Sequence, residues 1–152
     1  DNYDARANIM WATTMALNGI LSPGVPQDWA SHMIGHELTA LHGIDHARTL
    51  AVVLPSLLVV KRQEKWDKLL QYGERVWKIT AGEPAERVTE AIAKTRAWFE
   101  GLGIGTHLSD YVVPDNTAVT VAERLTARGM TALGERADIS PATVTEILTR
   151  AA

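Results

Sequence analysis

The sequence of 152 residues contains no cysteine, which excludes disulfide bonds and thiolate metal ligands and is typical of a cytoplasmic protein. No signal peptide is visible, and the longest apolar run, residues 50–60, is interrupted by Pro55 and Ser56 and is too short to span a bilayer. A net charge of −3 and a pI near 5.9 give no excess of positive charge for binding nucleic acid or an anionic membrane. We therefore expect a cytoplasmic protein whose partners include neither nucleic acid nor a membrane.

Histidine, in contrast, is concentrated in one segment. Four of the five histidines fall within fifteen residues, at His32, His36, His42 and His46. Imidazole is the commonest metal ligand in proteins, and in a chain without cysteine the cluster predicts a metal held by nitrogen and oxygen. Zinc, iron, manganese, nickel and copper fit such a site, and zinc and iron are favoured. The alternative is that histidines on a helix surface lie near one another without a shared function.

The spacing of the histidines requires a turn inside the segment. In one unbroken helix His32 and His46 would lie roughly 21 Å apart, at 1.5 Å of rise per residue. Two ligands of one metal must place their nitrogens about 2.0–2.1 Å from the ion, so these two histidines can share a metal only if the chain reverses between them. Gly43 suits the end of the first helix, and Asp45 suits the N-cap of the second.

The zinc-protease helix motif does not explain the cluster. That motif places a second histidine four residues after the first, with a glutamate directly after the first. Glu37 follows His36, but Ala40 occupies the position of the second histidine. His42 lies about 240° further around the helix, at 3.6 residues per turn.

The remaining pattern predicts an all-α protein forming one helical domain over residues 1–152. Its composition, 46% hydrophobic and 22% charged, is that of a globular chain large enough for a core. Pro26, Pro84 and the pair Ser140-Pro141 suit helix starts, Pro55 is expected to bend or restart a helix, and no alternating strand pattern longer than about four residues is present. Helices are predicted at residues 4–18, 26–42, 46–61, 62–80, 84–101, 114–128 and 141–151.

Several segments carry a resemblance to a known family. The histidine segment supplies His32, Gly35, His36, Gly43 and His46, and an apolar run ending in Leu-Pro follows at residues 50–55. Residues 71–77, 103–111 and 130–135 extend the similarity over nearly the whole chain. The sequence resembles the C-terminal helical domain of the iron-containing (group III) alcohol dehydrogenases, in the branch of NADPH-dependent aldehyde reductases and butanol dehydrogenases. The resemblance implies the multi-helix C-terminal domain of the dehydroquinate synthase-like fold.

The resemblance also implies roles for individual residues. His32 and His46 correspond to metal ligands, and His36 to a histidine near cofactor and substrate, which makes His36 the candidate catalytic and cofactor-binding residue. Trp29, one turn before Met33, and His42, which matches no general ligand of the family, are candidates for the substrate pocket from their places in the sequence. The metal would polarise the carbonyl of a small-molecule aldehyde for hydride transfer from NADPH.

A second domain is expected from the same resemblance. The family's two other metal ligands and its phosphate-binding loop precede the segment that this chain matches, and the glycines at residues 101–105 are interpreted as a helix end and turn. We therefore expect the chain to be a fragment of a two-domain enzyme. An N-terminal α/β nucleotide-binding domain would bind most of the NADPH, the enzyme would be a homodimer, and the fragment alone would be inactive.

Two alternatives remain open on the sequence. The chain could be a self-contained histidine metal-binding module with a structural or regulatory role, in which three or four clustered histidines complete the site. It could also be a helical interaction domain that binds no metal.

Overall fold

The computed structural model describes residues 2–152, so Asp1 lies outside the description. No strand occurs within these residues; Leu133 and Ile139 form an isolated antiparallel bridge. The all-α prediction is therefore confirmed. The described helices are α1 (Tyr3–Leu17), α2 (Ala30–His42), α3 (His46–Val60), α4 (Trp66–Trp77), α5 (Pro84–Gly101), α6 (Thr117–Ala127) and α7 (Pro141–Arg150), with one 3-10 turn at Leu108–Asp110.

Helix boundaries agree with the sequence where the signal lies in adjacent residues. Helix α5 begins at Pro84 and ends at Gly101, followed by Gly103 at φ 76°, as predicted. Helix α7 begins after Ser140, whose hydroxyl accepts a hydrogen bond from the Thr143 N–H at 3.2 Å. These local capping contacts satisfy backbone groups that a helix end leaves unpaired.

The predicted start of α2 at Pro26 is wrong, because the helix begins at Ala30. The Asp28 carboxylate accepts a hydrogen bond from the Ala30 N–H at 2.8 Å, and its other oxygen lies 2.6 Å from Lys65 Nζ. The segment before Ala30 is therefore held in a non-helical path by a partner 37 residues away. Helices α4 and α6 also begin a few residues later than predicted.

From the sequence, Pro55 is expected to bend or restart the third helix. No restart occurs at this residue. Helix α3 is assigned as one helix from His46 to Val60, with Pro55 inside it. Val52, Val53 and Leu57 of this helix are buried, at 0–1% exposure. Packing of a buried side chain of this size stabilises the fold by about 1.5–3 kcal/mol, which is comparable to the cost of a proline inside a helix.

Helices α2 and α3 lie at the centre of the fold. The larger hydrophobic core joins them to α6 and α7, through buried residues that include Leu38, Val53, Val121 and Ile147. A smaller core of Leu69, Val88 and Ile92 lies between α4 and α5, and α3 packs against α5 as well as α7. Both helices of the histidine segment are thus fixed by packing on several sides.

Helix α1 differs from the others because none of its described residues is buried. Ile9, Met10 and Trp11 are 64%, 72% and 67% exposed. These apolar side chains do not pack into the core formed by the other described helices. Within the same residues, no helix has both the length and the apolar character that crossing a membrane requires.

Candidate metal centre

The α2–α3 hairpin brings two distant histidines together. Gly43 ends α2 in the left-handed conformation at φ 68°, its N–H donates to Thr39 O at 2.9 Å, and α3 begins at His46. The predicted chain reversal at Gly43 is therefore confirmed. As a result His32 Nδ1 lies 2.9 Å from His46 Nε2, although fourteen residues separate them.

His36 completes a group of three imidazoles. Its ring stacks on that of His46, with centroids 4.4 Å apart and an interplanar angle of 29°, and it meets His32 edge-on at 6.2 Å. One ring nitrogen from each of the three histidines lies within 4.8 Å of the others. The described part of the chain, residues 2–152, contains no other such group of histidines and carboxylates.

The donor set fits a divalent transition metal. Two nitrogens that each lie about 2.0–2.1 Å from one ion can be at most about 4.2 Å apart, and the His32–His46 pair at 2.9 Å satisfies this limit. Imidazole nitrogens suit zinc and iron. Asp45 precedes His46 at the N-cap position, but its carboxylate pairs with Arg48 at 3.4 Å, away from a capping bond.

The electrostatics of the site favour neutral rings. Burial lowers the pKa of His46, and positive charge on His36 and His32 lowers it further. The pKa of His32 is lowered by burial first and by His36 second. Metal binding requires the neutral imidazole, so both shifts keep these rings in the form that can bind an ion at neutral pH.

Trp29 borders this group on one side. Its ring centroid lies 5.0 Å from that of His32 at 58°, and the indole N–H donates to Gln27 Oε1 at 3.1 Å. The side chain is 38% exposed. Trp29 is therefore placed where it could form one wall of a pocket beside the histidines.

His42 lies elsewhere, against the start of α6. Its Nε2 is 3.2 Å from Thr117 Oγ1, whose single proton is donated to Pro114 O at 2.6 Å. His42 Nε2 must therefore be the donor, and burial lowers the pKa of this histidine. It does not belong to the group of three rings, as its rotation around α2 relative to His36 indicated.

Glu37 is an important residue that the sequence did not predict. It is 1% exposed, and its carboxylate accepts hydrogen bonds from Arg124 Nε at 2.6 Å and from Arg128 Nη1. Arg124 lies in α6 and Arg128 is the C-cap residue that follows it, four residues later, so both can reach Glu37 on α2. The triad therefore ties α2 to α6 one residue after His36.

The sequence of this chain matches a family of known proteins. The family model for the C-terminal part of the Fe-containing alcohol dehydrogenase family matches residues 1–152. The chain belongs to this family. Among its relatives in the family, the NADPH-dependent aldehyde reductase YqhD of Escherichia coli is 59% identical over 140 residues, which cover 92% of this chain and 36% of that protein. The NADH-dependent butanol dehydrogenase A of Clostridium acetobutylicum is 32% identical over 149 residues, covering 97% of this chain and 38% of that enzyme.

Solved structures of family members share the fold. The substrate- and cofactor-free form of E. coli YqhD superposes with a TM-score of 0.94 at 55% identity, covering all of this chain and 40% of that one. NADH-dependent butanol dehydrogenase A from Thermotoga maritima gives 0.92 at 28% identity, again covering all of this chain and 40% of that one. The chain therefore spans well under half the length of its relatives. The family and fold predicted from the sequence are confirmed.

Proposed function

We propose that His32 and His46 bind a catalytic divalent metal, zinc or iron, and that this chain forms the metal-binding part of an NAD(P)H-dependent alcohol dehydrogenase or aldehyde reductase. The 2.9 Å approach of His32 Nδ1 to His46 Nε2 carries the proposal, because it joins two ligand atoms from separate helices. Membership of the Fe-containing alcohol dehydrogenase family supports it. The activities of the relatives, aldehyde reductase and butanol dehydrogenase, support it as well.

The chemistry divides between bound groups and the chain's own side chains. When bound, the metal supplies Lewis acidity to an aldehyde oxygen and the nicotinamide supplies hydride. His32 and His46 hold their nitrogens toward one point, and the Trp29 ring excludes water on the His32 side. His36, whose ring stacks on that of His46, would donate a ring proton to the oxygen of the alcohol product, since histidine is the commonest general acid in enzymes.

The proposal also includes partners beyond these residues. An N-terminal nucleotide-binding domain is expected to bind most of the NADPH and to close the substrate cleft, because ligand sites favour domain interfaces. A homodimer remains a prediction of the family resemblance. A substrate role for His42 remains a prediction from the histidine cluster alone.

The test uses a hybrid enzyme in which this chain replaces the matching 36% of E. coli YqhD. His32→Ala and His46→Ala should each lose both metal and NADPH-dependent aldehyde reduction, because each removes a ligand nitrogen. His36→Ala should keep the metal and lower turnover by about 10²–10⁴-fold, the usual contribution of a general acid. His107→Ala is the matched control, since this histidine lies outside the group of three rings, and it should retain metal and activity.

Elemental analysis and turnover together decide the result. A metal-free His36→Ala variant beside a fully loaded His46→Ala variant would contradict the ligand assignment. The alternative is a self-contained histidine metal module. One observation supports this alternative, namely that three imidazoles group together within one chain. It predicts tight stoichiometric zinc binding by the 152-residue chain together with a hybrid that does not reduce aldehydes.

A further inference from the structure

Helix α2 packs tightly against α3 at Gly35, next to the histidines. A Cβ atom built on Gly35 would lie 2.6 Å from Thr49 Oγ1, 3.4 Å from Thr49 Cβ and 3.5 Å from His46 Cε1. The first distance is shorter than real Cβ contacts, so any larger residue at position 35 would displace the facing helix. The missing side chain therefore makes room for Thr49 and for the His46 ring together.

Thr49 is itself held in place beside His46. It is fully buried, and its hydroxyl donates to His46 O at 2.8 Å, a bond along the helix that β-branched threonine commonly forms. Rotating the hydroxyl away from Gly35 would break this bond and turn the methyl group toward α2. An added Cβ at position 35 must therefore push α3 outward, which lengthens the 2.9 Å contact between His32 and His46.

The same hydroxyl favours one tautomer of His46. Thr49 Oγ1 has one proton and gives it to His46 O, so only lone pairs of the oxygen face His46 Nδ1, at 3.5 Å. A proton on Nδ1 is therefore favoured, which leaves Nε2 unprotonated toward His32. Histidines that bind metals usually donate their other ring N–H to such a partner, which fixes the ring and the tautomer.

We propose that Gly35 and Thr49 are positioning residues for the metal centre: the glycine admits Thr49, and Thr49 sets the position and tautomer of His46. The inference rests on the proposed role of His46 as a ligand. Partners of this kind typically change metal affinity by 10–100-fold when they are replaced. We expect Thr49→Val, which keeps the shape and removes the hydroxyl, to weaken zinc binding by about tenfold, and Thr49→Ser to restore most of the affinity.

A double-mutant cycle of zinc affinity separates the steric role of Gly35 from the hydrogen-bonding role of Thr49. Gly35→Ala should lower zinc affinity more than Thr49→Ala does, because it moves the whole of α3. Adding Thr49→Ala to Gly35→Ala removes the atom at 2.6 Å and leaves 3.4 Å to Cβ, so the double variant should bind zinc as well as Thr49→Ala alone. If Gly35→Ala does not fold, the double variant should still fold, and its zinc affinity is then compared with that of Thr49→Ala. Equal affinities of Gly35→Ala and the wild type would overturn the steric role.

The measurements use the 152-residue chain. Calorimetric titration with zinc gives the affinities, and ¹⁵N spectra of the histidine rings in the metal-free chain above about pH 8 report the tautomers. The His46 ring should carry its proton on Nδ1 in the wild type and in Thr49→Ser, and a mixture should appear in Thr49→Val. Circular dichroism should be the same for all three, because the fold is retained.

The two proposals fail in different ways. Absence of zinc binding by the wild type and by the hybrid enzyme would overturn the proposed function, while the ring spectra would still decide the tautomer. Zinc binding that is unchanged in Thr49→Val, with His46 still protonated on Nδ1, would overturn the positioning role and leave the proposed function in place.

Discussion

Removing both arginines that face Glu37 should destabilise the chain strongly. Glu37 is 1% exposed, so its carboxylate depends on Arg124 and Arg128 for compensation of its charge. In the variant Arg124→Ala/Arg128→Ala the carboxylate remains buried without a cation. Leaving one partner of a buried pair uncompensated costs about 3–5 kcal/mol, which corresponds to a fall in Tm of roughly 6–20 °C for a chain of this size.

Removing the carboxylate should have a much smaller effect than removing its partners. The side chains of Arg124 and Arg128 are 37% and 52% exposed, so in Glu37→Leu both guanidinium groups can turn to water while leucine fills the apolar space. We expect the free energy of unfolding of Glu37→Leu to change by about 1 kcal/mol or less. The asymmetry follows from burial, because the glutamate side of the triad is covered and the arginine side is open.

Urea unfolding followed by circular dichroism measures both effects. Arg48→Ala is the matched control, because Arg48 pairs with Asp45 at 3.4 Å between side chains that are 49% and 82% exposed, and such pairs contribute about 0–1 kcal/mol. A double arginine variant that is as stable as this control, or a Glu37→Leu variant that is less stable than the double variant, would refute the reasoning.

Two further predictions concern the metal-free chain. Burial lowers the pKa of His32, His42 and His46 from the usual 6.5, so the unfolded chain binds more protons than the folded one below that pH. The free energy of unfolding should therefore be highest above about pH 6.5 and should fall as the pH drops through the lowered values, in urea titrations at several pH values; a flat profile would contradict the burial of these rings. In hydrogen exchange, the amides of α1 should exchange faster than those of α3, because α1 buries no described residue and an isolated helix of about fifteen residues is marginal in water. Equal protection of the two helices would contradict this expectation.

Local signals made much of the fold predictable. The reversal at Gly43 and the start of α7 at Ser140 depend on residues within one or two turns of each other, so the sequence predicted both. The pairing of His32 with His46 followed from that reversal and from the family resemblance. The rotation of His42 away from the other rings followed from the helical period alone.

Long-range contacts could not be predicted in the same way. The start of α2 was misplaced because Asp28 is held by Lys65, and the two residues are 37 apart in sequence. The role of Glu37 could not be predicted, because its partners Arg124 and Arg128 lie 87 and 91 residues away, in α6 and directly after it. The role of Gly35 depends on the distance between two helices, which no spacing rule provides. In each case contacts between residues distant in sequence determine the feature, and the residues adjacent in sequence do not.

The hairpin that carries the histidines also has a consequence for the order of folding. The entropy lost in closing a loop grows as (3/2)RT ln n, so joining His32 to His46 across fourteen residues costs about 1.7 kcal/mol less than joining Glu37 to Arg128 across 91. The two ring nitrogens can therefore meet while α6 is still undocked. A metal captured at that stage would stabilise the α2–α3 hairpin and make it a template on which the later helices pack.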